Sequence, residues 1–439
     1  MIHRSSVFFS ILLLPAPNVL SQQGNPAPAI AGYVTRAVSL TDFDANGFHV
    51  VPSETTTFMV AVIGKEKRNT NAAPYLGQSV TVYGRLHKQK HVAIAEEVIF
   101  HPADMTALSG LAVVDRILTS TKLASGSPEL LVRADGYMIL INAITKTGFK
   151  APLVSLSDIT TNVWIKYHGK PQSNGVLLAD TATFISNSVL DHEAKLLEKS
   201  AYDPNTVDTD SKQTAASKAV RGRDAKQIPP YENAALQTRI DRIGASLVPA
   251  YQRNLPDGDP TKITFRFQLI DDPKMNEGFA VPNGIILIPF QTVNHLQNDS
   301  QLATILADNI ARVLEKQTFR AQSGHKKMML AEVTSGLLTG YYMFGTATVI
   351  AASVAHEDKR NAEDQSGRVS LGLLHDAGYD IGQAPIAWWL LATDSAEILP
   401  SNPLPSRAAN LYKSLGSTWR NYPEASASSS SSSANPQTK

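Results

Sequence analysis

The N-terminal half of this chain repeats itself, and that repeat narrows the possible folds more than any other feature. Residues 78–84 recur as residues 162–169, so that Tyr83 and Tyr167 stand 84 positions apart. Residues 91–100 recur at the same spacing as residues 175–184, ending on Phe100 and Phe184. The openings correspond too, as residues 32–36 and 111–116. Within each copy apolar and polar residues alternate over short stretches broken by Gly, Pro and Asn, which is the period of a half-buried strand. Duplication of so short a β unit predicts two tandem small barrels, over residues 27–104 and 105–186.

Their size and strand density resemble the oligonucleotide/oligosaccharide-binding barrel, which implies a glycan or nucleic-acid ligand as one reading. Arg85, His87, Lys88, Lys90 and His91 form a basic cluster between two strands. No aromatic residue is interleaved there to stack on bases or sugars, so the cluster reads as a solvated turn. The 40 Lys and Arg are offset by 39 Asp and Glu. Neutralising a phosphate backbone needs a basic excess, and a nucleic-acid partner is not favoured.

The flanks carry other signals. A basic start, a short apolar run over residues 7–14 and Ser21 predict a signal peptide over residues 1–21, and hence a secreted or periplasmic protein. Residues 187–230 carry seven acidic and seven basic side chains with few apolar ones, which predicts a short helix at 190–199 and then a linker. Residues 424–439 are a serine-rich tail that cannot form a core. The absence of cysteine excludes disulfides, thiolate metal sites and cysteine nucleophiles. A metal would need His, Asp or Glu.

Residues 231–423 change period. Leu236, Ile240, Ile243, Leu247 and Tyr251 lie at helical spacing over 233–251, and residues 263–270 alternate as a strand. Asn298 can cap a helix over 298–316, with Gln301 completing a capping box. Leu302, Ile305, Leu306, Ile310 and Val313 form its apolar stripe.

Residues 276–289, the helix that follows, and Ala377-Gly378-Tyr379-Asp380 resemble the HtpX-type zinc metallopeptidases, peptidase family M forty-eight. That resemblance implies an α+β, mainly helical domain behind the all-β N-terminal half. It also implies a strand of pattern N-x-F-A-x-P-G-G-x-I, and a helix bearing H-E-x-x-H that binds zinc and activates water. A third ligand would come from an E-x-E-A-D-R helix ahead of A-G-Y-D.

At those positions the chemistry is missing. Asp308 and Arg312 stand where the two zinc histidines belong, Asn309 where the general base belongs, and Gln365 where the third ligand belongs. Asn402 corresponds to a downstream histidine that helps stabilise the transition state. A dication about 4 Å from Arg312 would be repelled by roughly 8 kcal/mol at an effective dielectric of 20. Arginine cannot relieve that by losing its proton. Asp308 and Arg312, four residues apart with the acid first, can instead pair with each other. An asparagine amide cannot take a proton from water, so Asn309 ends general-base catalysis.

The expected protein is therefore a non-catalytic peptide-binding or scaffold protein of the envelope, with no cofactor. Its alternative is a working zinc endopeptidase with an unorthodox site. Strand 284–288 is expected to pair with an extended peptide or envelope protein, with Phe279, Val281, Gly284, Ile285 and Ile286 lining the groove. Residues 333–355 run without a charge, interrupted by glycine, serine and threonine, which predicts a buried helical hairpin over membrane contact.

Overall fold

The computed structural model describes residues 30–37, 39–52, 59–62, 67–87, 92–122, 128–199, 230–273, 275–320, 351–393 and 404–422. The expected signal peptide, the serine tail, Asn402, most of the linker and residues 333–350 of the uncharged run lie outside those residues. Among the described residues no helix is long and apolar enough to cross a membrane.

The first barrel comprises β1 (Ile30–Val34), α1 (Leu40–Asn46), β2 (Phe48–Pro52), β3 (Met59–Val62), β4 (Ser79–His87) and β5 (Val92–Phe100). It closes in the order β1-β2-β3-β5-β4, with β3 and β5 parallel and the other pairs antiparallel. Ser39 caps α1 by accepting from the Asp42 N–H. The helix drives Phe43 into the barrel, edge-on to Phe48 and Phe100 at 5.8 Å from each.

The second unit comprises β6 (Leu108–Lys122), β7 (Pro128–Ala134), β8 (Tyr137–Ile141), β9 (Lys146–Phe149), β10 (Trp164–Pro171) and β11 (Val176–Ile185). Its sheet runs β10-β6-β7-β8-β11-β9, and a further β10–β11 pairing turns it back on itself. With β9 set aside, its strand order is that of the first barrel, and its third and fifth strands, β8 and β11, are likewise parallel. The duplication extends to backbone irregularities. Each fourth strand bulges at a glycine, between Tyr83 and Gly84 and between His168 and Gly169. A Cβ on Gly84 would collide with the carbonyl of Ile94, and one on Gly169 with that of Leu178. Those two carbonyls are again 84 positions apart. Only glycine permits this approach.

The helical region follows as α2 (Asp191–Lys199), α3 (Ala234–Leu247), α4 (Ala250–Arg253), β12 (Arg266–Ile270), β13 (Phe279–Ala280), β14 (Ile285–Pro289) and α5 (Phe290–His295). It ends with α6 (Asp299–Leu314), α7 (Ala351–Asp376), α8 (Gln383–Thr393) and α9 (Ser406–Gly416). The single helix expected over 233–251 is two, because Pro249 cannot donate within a helix and becomes the N-cap of α4. Asn298 caps α6 by accepting from the Gln301 N–H, but Gln301 closes the box on the N–H of Gln297, one residue early. The whole apolar stripe of α6 is buried, and α3, α7 and α8 pack around it.

Both barrels dock on this region. Gly77 and Gly416 approach backbone to backbone, and Tyr33 stacks on Tyr412 at 5.6 Å. In the second unit β6 pairs with β7 only from Val114 onward, so the preceding stretch has an unpaired side. Helical-region side chains satisfy it. The Glu315 carboxyl group accepts from the Val113 N–H at 3.2 Å, and Gln365 Nε2 donates to the Leu111 carbonyl at 3.0 Å. Nearby, Arg133, 1% exposed, is held between Asp115 at 2.9 Å and Asp376 at 2.6 Å, and donates to the Tyr422 hydroxyl at 3.0 Å. Arg368 pairs with Asp135 at 2.6 Å, and Asp135 also accepts from the Tyr167 hydroxyl.

Removing one member of a buried ion cluster leaves the others uncompensated. Arg133→Leu is therefore expected to lower unfolding stability by about 3–5 kcal/mol in chemical denaturation. Arg85→Ala, at an exposed side chain, should change it by less than about 0.5 kcal/mol. Burial pushes the Glu315 carboxyl up to about 8, against the pull of Arg320 and of the Val113 N–H. The folded chain then keeps a proton that the unfolded chain loses near 4.5, so this group's contribution to stability falls as pH rises from about 4.5 to about 8. A pH series of denaturation curves should show that decline, and Glu315→Gln should flatten it.

Candidate functional site

Helix α6 carries Asp308 and Asn309 into the interior, at 1% and 3% exposed. One turn later Arg312 donates its Nε–H to Asp308 Oδ2 at 2.9 Å, the i, i+4 pair expected from the sequence. A second arginine completes the cluster. Arg407, in the first turn of α9, places Nη2 2.6 Å from Asp308 Oδ1. The same oxygen accepts from Ser366 Oγ on α7 at 2.7 Å. Arg407 Nη1 reaches Glu277 at 2.8 Å, and its guanidinium carbon sits over the Trp388 ring of α8, 3.3 Å from the centroid.

The electrostatics follow from this crowding. Burial by itself would raise the Asp308 carboxyl. The charges of Arg312 and Arg407, with hydrogen bonds from Arg407 and Ser366, overcome it and hold the group down at about 2. Asp308 is thus an ionised carboxylate at neutral pH with both oxygens occupied by cationic or hydroxyl donors. It could bind a cation only by displacing a guanidinium. It is a poor base as well, because its proton affinity is so low.

The other positions singled out by sequence are turned to structural work. The Asn309 amide donates to the carbonyls of Glu277 at 3.1 Å and Ile305 at 2.9 Å, which ties α6 to the turn before β13. Gln365 does not join Asp308. It accepts from Arg320 at 2.8 Å and donates to Leu111 of the second unit, while its neighbour Ser366 faces the carboxylate. Among the described residues no three His, Asp or Glu side chains converge as a metal-binding group.

The expected peptide groove needs correction. β14 is the central strand, parallel to β12 on one side and antiparallel to β13 on the other. Its backbone has no free edge along Ile285 and Ile286, whose side chains are buried. Val281, 2% exposed, packs with Met275, Ile285 and Leu287 in a small core. Gly284, at φ +96°, makes the turn into β14 and lies against Ile263 and Thr264. Only Phe279, half-buried on the two-residue edge strand β13, keeps a position near a free edge.

Sequence reading missed Arg407, Ser366, Trp388 and Glu277. No local motif marks them, because four separate elements bring them to Asp308. Comparison with models of protein families finds no match for this chain, and a search of curated proteins finds none either.

Asp308→Asn preserves shape but leaves two arginines facing a neutral amide. At pH 7 it should cost about 3–5 kcal/mol in denaturation. Because the folded-state group titrates below its ordinary 3.8, its stabilisation is present above that pH and is lost as pH falls through about 2. The wild-type chain should lose stability across that window, and the Asn variant should lack that component.

Proposed function

We propose that this chain is a non-catalytic, metallopeptidase-like scaffold protein of the cell envelope, with an arginine–aspartate cluster where the resembling peptidases hold zinc. The observation that carries the reading is Asp308 with both oxygens engaged, by Arg312 on one and by Arg407 and Ser366 on the other. Zinc binding would need two or three protein ligands free of cations, and this cluster offers one carboxylate between two guanidinium groups. Asn309, held by two carbonyls, supplies no base.

The scaffold role draws support from the docking surfaces. The helical region satisfies the unpaired side of β6, and three arginine–aspartate contacts cross to the second unit, from Asp376 to Arg116 and Arg133 and from Arg368 to Asp135. The shared strand order of the two units supports the OB-like reading of them. In this reading the barrels are fixed partners of the helical region, and any extended peptide would join the sheet at β13.

The test is metal content with activity. Full-length protein purified from zinc-supplemented medium should carry substoichiometric zinc and leave casein uncut. One zinc per chain, lost in Asp308→Ala, would overturn the reading. Restoring the family pattern with Asp308→His, Asn309→Glu, Arg312→His and Gln365→Glu should still give no tight zinc binding, because Arg407 remains. Tight zinc binding by that fourfold variant would show that Arg407 does not block the position.

A further inference from the structure

The second unit carries the two most exposed large apolar side chains among the described residues, Ile144 and Val154, each 77% exposed. They flank β9, a strand about 13 Å long at the margin of its sheet. Both are held in place. Phe149 of β9 stacks on Phe184 at 5.9 Å, and Thr145 Oγ1 donates to the Ala179 carbonyl at 2.7 Å. The Asn142 side chain accepts from the Ile144 N–H at 3.2 Å and so sets the turn that carries Ile144. The Asp158 carboxylate accepts from the N–H groups of Val154 and Ser155, both at 2.9 Å, and fixes the turn that carries Val154. Leu153 and Leu156, beside Val154, pack against the core of the unit. Turn chemistry asks for no apolar side chain at either tip, and two aliphatic groups left in water forgo the gain of burial.

Between the tips the charge is of one sign. Lys146 and Lys150 are both exposed, and the sequence holds no Asp or Glu from Gly136 to Ser157. Protein–protein contacts concentrate arginine and aromatic residues and are poor in lysine. Residues 142–157 contain no arginine, and their one aromatic residue, Phe149, packs against the core of the unit. Lysine on an edge strand also discourages a second strand from pairing there. A bilayer with anionic headgroups suits this combination and requires no shaped pocket. Aliphatic tips enter the boundary between headgroups and acyl chains, while ammonium groups stay among the phosphates.

We propose that this edge of the second unit, from Ile144 to Val154, rests on an anionic membrane surface, with Ile144 and Val154 inserted below the headgroups and Lys146 and Lys150 against the lipid phosphates. The contact stands on the second unit alone, and it holds whatever the chemistry at Asp308.

The chain has no cysteine, so Ile144→Cys and Val154→Cys each give one site for an environment-sensitive fluorophore on the full-length protein. Ile94→Cys, at a half-exposed position on the first barrel, gives the control. The probes are vesicles of phosphatidylglycerol and phosphatidylcholine in equal parts, and vesicles of phosphatidylcholine alone. Labels at positions 144 and 154 are expected to shift to the blue with the mixed vesicles only, and the shift should fall at high salt. The label at position 94 should stay unchanged. Followed by the label at position 144, Lys146→Glu with Lys150→Glu should raise the lipid concentration at half-shift by at least about tenfold. Val154→Ser should raise it by roughly threefold. Both variants change exposed side chains, and their melting temperatures should stay near that of the labelled parent. Absence of a shift at positions 144 and 154, an equal shift at position 94, equal response to both vesicle types, or an unchanged titration in the double lysine variant would overturn the proposal. A shift with soluble dextran sulfate and none with vesicles would assign the edge to a soluble polyanion and overturn it likewise.

Discussion

A single buried carboxylate sets the arrangement of the helical region. Asp308 lies on the most enclosed helix, where an uncompensated charge would be untenable, and its neutralisation recruits side chains from elsewhere. Arg312 comes from the next turn, Ser366 from α7 and Arg407 from α9. Arg407 extends the linkage to Glu277 before β13 and to Trp388 on α8. One charge thus links four helices and the turn that enters the sheet. Here guanidinium groups lie against the carboxylate, and the electrostatic balance comes from the chain itself.

The same logic governs the contact between barrels and helices. A strand whose hydrogen-bonding side is unpaired needs donors and acceptors from somewhere. Glu315 and Gln365 provide them to β6 and so form the seam between the helical region and the second unit. This explains why Gln365 turns away from Asp308. Its amide can donate to a carbonyl and accept from Arg320 at once, which a carboxylate could not do. The exposure of the two residues also differs in consequence: Arg312, a quarter exposed, keeps some solvent, while Asp308 keeps none.

The features legible in the sequence were those written in local pattern. The duplication was visible as alternation at a fixed spacing, and the two bulge glycines show that it reaches the backbone. Helix α6 could be read from its cap and its apolar stripe, and the Asp308–Arg312 pair from i, i+4 spacing. Features set by tertiary contact were not legible. Apolar runs such as 285–288 read alike as a groove strand or a central strand, and only the pairing with both β12 and β13 decides between them. Arg407 follows Asp308 by almost a hundred residues, and nothing in its neighbourhood announces an ion pair. The break at Pro249 was legible in principle, since a proline there removes a helical donor, yet the apolar spacing through Tyr251 masked it.

Guanidinium groups of Arg312 and Arg407 lie against the two oxygens of the Asp308 carboxylate. Crystals of the full-length protein grown with zinc, with anomalous data collected at the zinc edge, test it most directly. The account predicts planar density for Arg312 and Arg407 on the two sides of the carboxylate, with no anomalous peak there. An anomalous peak about 2.0–2.2 Å from an Asp308 oxygen, with the Arg407 side chain displaced, would contradict it.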